Sequence, residues 1–218
     1  MASVNSEVNW TFEELVYPQH VALLVIDIQK DFCDDDGAMA RLGKDLSVVK
    51  AMLPRLLNLI EFARGHNIKV IFTRRVNSAL TDSLSHRRQL SRGGALEVAL
   101  DGTPGVDFSK GFEPKDSDYV LVKRRYSAFT GTELDLVLRS NGVRTIVLTG
   151  VATNACVEST ARDGFMLDYH VVLLSDCCAT YDSPDLHEAT LRNAEMYFAT
   201  VASFDQLVNV WQGLSRKR

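Results

Sequence analysis

A carboxylate, an ammonium and a thiol each follow a short apolar run in this chain, and together they form a set competent for covalent hydrolysis. Asp27 lies at the end of VALLVID, Lys123 ends YVLVK, and Cys156 follows TIVLTGVATNA. A cysteine in the first turn of a helix meets unpaired N–H groups and the positive end of the helix dipole. These lower a thiol pKa and can hold an anion, so a nucleophile and an oxyanion hole can share one turn. Lys123 can then serve as the cation that favours a thiolate, or as a partner for Asp27. The competing readings are structural: a buried packing cysteine, a lysine snorkelling to the surface, and an aspartate at a solvated strand end. Further polar residues follow the same runs. Gln29 and Phe32 come after Asp27, Arg74, Arg75 and Asn77 come after IKVIFT, and Arg124, Arg125 and Tyr126 come after Lys123. Arginines placed there can reach a substrate carboxylate, although strand alternation lets only some of the four face a common crevice.

The elements that must position these residues alternate between strands and helices. Short apolar stretches over 21–28, 68–73, 119–123, 146–148, 169–174 and 199–204 predict strands, and the unbroken run Ile146–Leu148, with Gly150 as a turn after it, marks a parallel strand covered on both faces. Helical periodicity over 46–63, 132–139, 153–162 and 184–196 fills the gaps, with Thr153 or Asn154 as cap and Gly164 as a left-handed stop for the third of these. Such alternation predicts an α/β fold, a three-layer, doubly wound and mainly parallel sheet of six strands with right-handed crossovers. In that architecture ligands bind at the carboxyl ends of the strands, where all three chemical residues fall. Residues 1–218 read as one domain, with 1–20 as an extended lead-in and 78–111 as a long irregular loop suited to a lid or an interface.

Composition narrows the partners. The 218 residues are 46% hydrophobic and 24% charged, with a net charge of -4, which gives no general attraction for nucleic acid or for an anionic membrane. The longest apolar runs are too short to span a bilayer, and MASVNSEVNW lacks the pattern of a signal peptide, so the expected location is the cytosol. Four cysteines with no C-x-x-C pair suggest reduced thiols rather than a disulfide framework or a metal knuckle. His187 stands at helical spacing from Leu191 and reads as a structural histidine, and Asp34–Asp36 lack calcium-loop spacing. The absence of G-x-S-x-G, H-E-x-x-H and G-x-G-x-x-G motifs weighs against a lipase-type hydrolase, a zinc peptidase and a dinucleotide-dependent dehydrogenase.

Three segments, LLVIDIQKDF, VKRRYSAFTGTELDLVLRSNGVRTIVLTGVATNACVESTARDGF and LLSDCCAT, resemble in order the isochorismatase-like cysteine hydrolase superfamily. The resemblance implies a Rossmann-like six-stranded sheet, a triad of Asp27, Lys123 and Cys156, and a cis peptide at Val151–Ala152. It also implies an oxyanion hole of the Ala152 and Cys156 N–H groups. Within the superfamily the long central segment is most similar to ureidoacrylate amidohydrolases and related N-carbamoyl amidases. That similarity implies cleavage of a C–N bond in a small ureido or amide substrate, a homodimeric or homotetrameric assembly and no cofactor. Nicotinamidases of the superfamily carry an Asp-x-His metal pattern after the second strand. Arg74, Arg75 and Asn77 stand there instead, so no metal is expected. An isochorismatase-type or nicotinamidase-type hydrolase, or a binding protein with an idle triad, are the alternatives. Substrate contacts are expected from Gln29, Phe32, Arg74, Arg75, Asn77 and Tyr126.

Overall fold

The computed structural model describes residues 10–215. Of the lead-in expected over 1–20, residues 1–9 therefore fall outside the described residues, and the remainder holds a short helix, α1 (Phe12–Leu15). Its start is fixed by a reciprocal cap, in which Glu14 N–H donates to the Thr11 hydroxyl and Thr11 N–H donates to the Glu14 carboxylate. The chain continues through β1 (Val21–Ile26), α2 (Lys30–Cys33), α3 (Ala38–Arg41), α4 (Ser47–Gly65) and β2 (Lys69–Arg75). Next come α5 (Leu84–Arg92), a 3-10 turn (Pro104–Val106), β3 (Tyr119–Lys123), α6 (Leu134–Ser140) and β4 (Thr145–Val151). A π-helical turn (Thr153–Val157) then leads into α7 (Glu158–Met166), followed by β5 (His170–Ala179), α8 (Pro184–Tyr197), β6 (Thr200–Ala202) and α9 (Phe204–Ser215).

All six strands are parallel, in the order β3-β2-β1-β4-β5-β6. The order reverses direction between β1 and β4, so a crevice opens between the carboxyl ends of those two strands. Every residue of β1 and β4 is buried, as expected of central strands covered on both faces. Side-chain alternation then divides the core in two. Val21, Leu23 and Val25 pack with Leu56, Leu59 and Ile60 of α4 and with Trp211 of α9. Ala22, Leu24 and Ile26 pack with Leu134 and Leu138 of α6 and Ala161 of α7. Trp211 is fully buried, and its indole N–H donates to the Val16 carbonyl at 2.8 Å, which ties α9 to the segment that enters β1.

Several boundaries differ from those the sequence predicts. Gly164 does not end its helix. It lies inside α7, where a Cβ would come within 2.6 Å of the Ile146 side chain and 3.2 Å of the Phe129 ring, so its role is close helix-to-sheet approach. The left-handed residue is Asp168, at φ 67°. β2 extends to Arg75, which places Arg74 and Arg75 within the strand rather than after it. β5 runs on through Asp176–Ala179, because a register shift opposite Leu148–Gly150 lets pairing with β4 resume. The irregular stretch 78–111 contains α5, capped by the Ser83 hydroxyl accepting from His86 N–H; only Leu90 of that helix is buried, so no apolar period marks it.

Gly150 governs how closely β1 and β4 meet beside the crevice. It stands at φ 107°, and a Cβ there would lie 2.1 Å from the Ile26 carbonyl oxygen, a backbone atom that cannot step aside. Gly150→Ala is expected to lower unfolding stability by about 2–4 kcal/mol, from overpacking plus the left-handed penalty. Gly164→Ala, which meets only the tip of a side chain and a ring edge, is expected to cost less. Denaturant unfolding of the two variants checks the order.

Candidate active site

Asp27 follows the last residue of β1 and adopts φ 55°, turning its carboxylate back over the strand ends. Thr73 of β2 pairs in register with Ile26, and its hydroxyl works in both directions. It accepts from Asp27 N–H at 3.1 Å and donates to Asp27 Oδ1 at 2.5 Å. Lys123, the last residue of β3, brings Nζ to 2.7 Å from Asp27 Oδ2, with neither side chain more than 1% exposed. The same ammonium donates to the carbonyls of Arg125 at 3.1 Å and Tyr126 at 3.0 Å. In place of a snorkelling lysine there is a buried one that donates to two carbonyls and lies against a carboxylate.

Cys156 comes to the same place from β4. The Val151–Ala152 peptide is cis, and the cysteine stands in the π-helical turn just before α7. No side chain caps that turn. The Thr153 hydroxyl shares a 2.9 Å hydrogen bond with His187 Nδ1, and Asn154 bonds Thr180 and Asp182, so neither residue fills the cap position expected of it. The Cys156 carbonyl accepts from the Thr160 hydroxyl at 2.7 Å, and Thr160 in turn accepts from Ala128 N–H at 3.0 Å, which fastens the loop after Lys123 to the cysteine helix.

Burial pushes the Cys156 thiol pKa up, and the Asp27 charge and a hydrogen bond to Asp27 add to that, against the downward pull of Lys123 and Arg75. The result reverses the lowered pKa expected from the helix start: complete burial outweighs both cations and the dipole. The resting group is therefore a thiol facing a carboxylate. Asp27 Oδ1 is taken by Thr73, while Oδ2 sits beside the Lys123 charge without a directed hydrogen bond from it, so Oδ2 is the acceptor open to the thiol proton.

The cysteine opens into a cavity of about 300 Å³ whose wall includes Phe32, Arg75, Leu90, Tyr126, Cys156 and Tyr181. A larger cavity, about 420 Å³, lies between Lys30, Asp31, Arg41 and Glu97, away from the cysteine. Its Asp31 carboxylate accepts from the N–H groups of Ala38 and Ala99 and holds two loops together. The smaller cavity is the one with chemistry in its wall. Residues 21–206 match the isochorismatase domain model.

The chain belongs to the isochorismatase family. It is 31% identical over 208 residues to a protein named ureidoacrylate amidohydrolase RutB from Acinetobacter baylyi, covering 89% of this chain and 85% of that one. A cysteine hydrolase from Pseudomonas syringae pv. phaseolicola superposes with a TM-score of 0.81 at 27% identity, over 90% of this chain and 94% of that one. An N-carbamoylsarcosine amidase from Thermoplasma acidophilum gives 0.69 at 26% identity, over 85% and 97%.

On this isochorismatase-family scaffold the other residues singled out in the sequence separate into two groups. Phe32, Arg75 and Tyr126 line the cavity. Gln29 does not: its amide accepts from Arg75 N–H at 2.7 Å and donates to the carbonyls of Arg75 at 2.9 Å and Val106 at 3.0 Å. Asn77 is also turned to the backbone, donating to the Val98 carbonyl at 2.8 Å, and so holds the segment beyond α5. Arg74 lies over the Phe108 ring at 4.7 Å and is absent from the cavity wall. Sequence reasoning missed Thr73, Tyr181 and the α5 face with Gln89 and Leu90. A hydroxyl in the apolar run of β2 was a usable signal for Thr73; the others depend on tertiary folding alone. Among the described residues no group of three or more His, Cys, Asp or Glu is arranged to hold a metal, and no helix is long and apolar enough to cross a membrane.

Because the thiol pKa is raised, Cys156 should stay protonated through neutral pH and ionise only above the range of a free cysteine. The ultraviolet thiolate absorbance of wild type minus Cys156→Ala is expected to appear only in that alkaline range. Lys123→Met, which strips the buried carboxylate of its cation, should cost about 3–5 kcal/mol of unfolding stability. Adding Asp27→Asn should recover part of that loss.

Proposed function

We propose that this chain is a cysteine-dependent amidohydrolase that cleaves a C–N bond of a small ureido or N-carbamoyl compound, with a ureidoacrylate-like substrate favoured. The observation that carries the reading is the buried Cys156 thiol set against Asp27, itself paired with Lys123, at the wall of a cavity of about 300 Å³. The named activities of the relatives support the bond type.

The reaction follows from the charges. Asp27 takes the thiol proton as sulfur attacks the carbonyl carbon, and Lys123 compensates the negative charge that then sits on sulfur. Proton transfer and attack are coupled here, since the resting thiol is not ionised. The oxyanion is received by the N–H groups of Ala152 and Cys156, each worth about 3 kcal/mol in the transition state. Collapse of the tetrahedral species breaks the C–N bond, and the departing nitrogen takes the proton held by Asp27. An S-acyl enzyme remains, S-carbamoyl where the substrate is attacked at a ureido carbon. Water adds to it with Asp27 again as base, the C–S bond breaks, and the thiol is restored. Lys123 is held by two carbonyls and the Asp27 carboxylate throughout, so it acts as a fixed charge and not as a proton carrier.

Ammonia release from a panel of ureido acids, N-carbamoyl amino acids and simple amides tests the proposal, with turnover of ureido compounds expected. Cys156→Ser and Asp27→Asn should each fall to about a hundredth of wild-type kcat/KM or below, with unfolding transitions still cooperative. Full activity in Cys156→Ser would remove the covalent mechanism.

A further inference from the structure

Arg75 is the last residue of β2, and its side chain is only 5% exposed. Its Nε and Nη2 are buried with no hydrogen-bond partner, and among the described residues it forms no ion pair. The other arginines at these strand ends are occupied elsewhere. Arg124 donates to the Val76 carbonyl, and Arg125 donates to the carbonyls of Arg124 and Thr81. Arg74 also has an unpartnered Nε, but it lies over Phe108, outside the cavity. Arg75 alone of the four shares the cavity wall with Cys156.

The charges around the cavity do not balance without a ligand. Asp27 offsets Lys123 at 2.7 Å, and Asp182 offsets Lys44 at 2.7 Å on the cavity rim. Cys156 is a neutral thiol at rest. One positive charge is left over, on Arg75. Burial opposes that charge, but the nearby Asp27 carboxylate works against the burial and the guanidinium stays protonated. The Tyr126 ring, 4.8 Å from the guanidinium carbon, engages its face. A cation–π contact of that kind leaves the in-plane N–H donors unspent.

We propose that Arg75 is the substrate-carboxylate residue of this cavity and restricts efficient turnover to molecules carrying one negative charge close to the scissile C–N bond. The proposal rests on the hydrolase reading above for the identity of that bond. Its position sets the spacing. Thr73, which holds Asp27, and Arg75 lie two residues apart on the same side of β2, about 7 Å along the strand. A bound carboxylate is therefore only a few bonds from the carbonyl that Cys156 attacks. Phe32, Met39, Leu90 and Val98 supply the apolar wall against which the intervening carbon atoms rest. Gln29 is a positioning residue in this scheme, because its side-chain amide grips both the N–H and the carbonyl of Arg75.

The test compares 3-ureidopropanoate with 3-ureidopropanamide, which differ in charge and hardly in shape. Steady-state kinetics are run with wild type, Arg75→Met, Arg75→Lys and, as a control, Arg74→Met. Wild type and Arg74→Met are expected to favour the acid by about ten- to a hundredfold in kcat/KM, the range for a hydrogen-bonded charge pair. Arg75→Met should erase that preference by slowing the acid and sparing the amide, and Arg75→Lys should retain part of it. Equal rates on both compounds in wild type would overturn the proposal. So would a preference that survives Arg75→Met, or equal slowing of both compounds, which would mark Arg75 as a thiolate stabiliser only.

Calorimetric binding of the same two compounds to Cys156→Ala and to Cys156→Ala with Arg75→Met separates this inference from the hydrolase reading. Absent turnover with acid binding that needs Arg75 would remove the hydrolysis and keep the carboxylate site. Equal binding of acid and amide, or none of either, would remove the site whatever the turnover. Arg75→Met deletes an unpaired buried charge, so its unfolding midpoint should not fall below that of wild type. If it does not fold, Arg75→Lys carries the comparison, and an undiminished acid preference there together with equal acid binding overturns the proposal.

Discussion

The ion pair between Asp27 and Lys123 is the constraint on which the rest of the site depends. Two opposite charges, both almost wholly removed from water, are stable only with good geometry and with their remaining hydrogen-bonding capacity filled. Meeting that condition requires three parallel strands to end in register. β1 presents the carboxylate, β2 supplies the Thr73 hydroxyl, and β3 sends the ammonium across to it while the loop after β3 turns two carbonyls onto the remaining protons. The thiol then arrives from β4, on the far side of β1, where the strand order reverses. Because the pair is internally neutral, it can accept the thiol proton and stabilise the sulfur left behind without a large change in the net charge of the crevice.

The close fit at this switch point is enforced by backbone contact. Gly150 lies against the Ile26 carbonyl one residue before Asp27, and Gly164 brings α7 down onto Ile146 and the Phe129 ring. Gly150 therefore brings β4 close to the aspartate strand, and Gly164 brings the cysteine helix close to β4. Thr160 completes the arrangement by bridging the Cys156 carbonyl to Ala128 N–H, five residues beyond Lys123. Position at this site is thus set mainly by main-chain atoms and small residues. The apolar core beneath supplies the stability.

Much of this was legible in the chain itself because parallel central strands write their burial into unbroken apolar runs. VALLVI and TIVLTGV mark two central strands, YVLVK marks the half-exposed edge strand, and Asp27 after the first, Lys123 at the end of YVLVK and Cys156 in the turn beyond TIVLTGV mark the crevice. The six-stranded sheet and the meeting of Asp27, Lys123 and Cys156 follow from that pattern and from the motif resemblance. What was not legible depends on partners distant in sequence. Gln29 and Asn77 read as substrate contacts by their place after strands, yet Gln29 is spent on backbone groups many residues away and Asn77 on the Val98 carbonyl and the His86 ring. α5 exposes nearly all of its surface, so no period reveals it. Gly164 has the sequence position of a stop, but the nearness of Ile146 keeps it inside the helix. The thiol pKa is pushed up by burial rather than down by the helix start, because helix position is visible in a sequence and depth of burial is not.

The contact between Gln29 and Arg75 has a consequence for how this fold can diversify. The glutamine behaves as a supernumerary peptide unit, prolonging the ladder beyond the last true residue of β1, and it addresses only the main chain of its neighbour. Whatever side chain stands at position 75 is therefore presented into the cavity by an anchor indifferent to its identity. Ligand preference can change at that position by a single exchange while the strand end stays where it is. Recognition and scaffold integrity are, at this one locus, independently mutable properties.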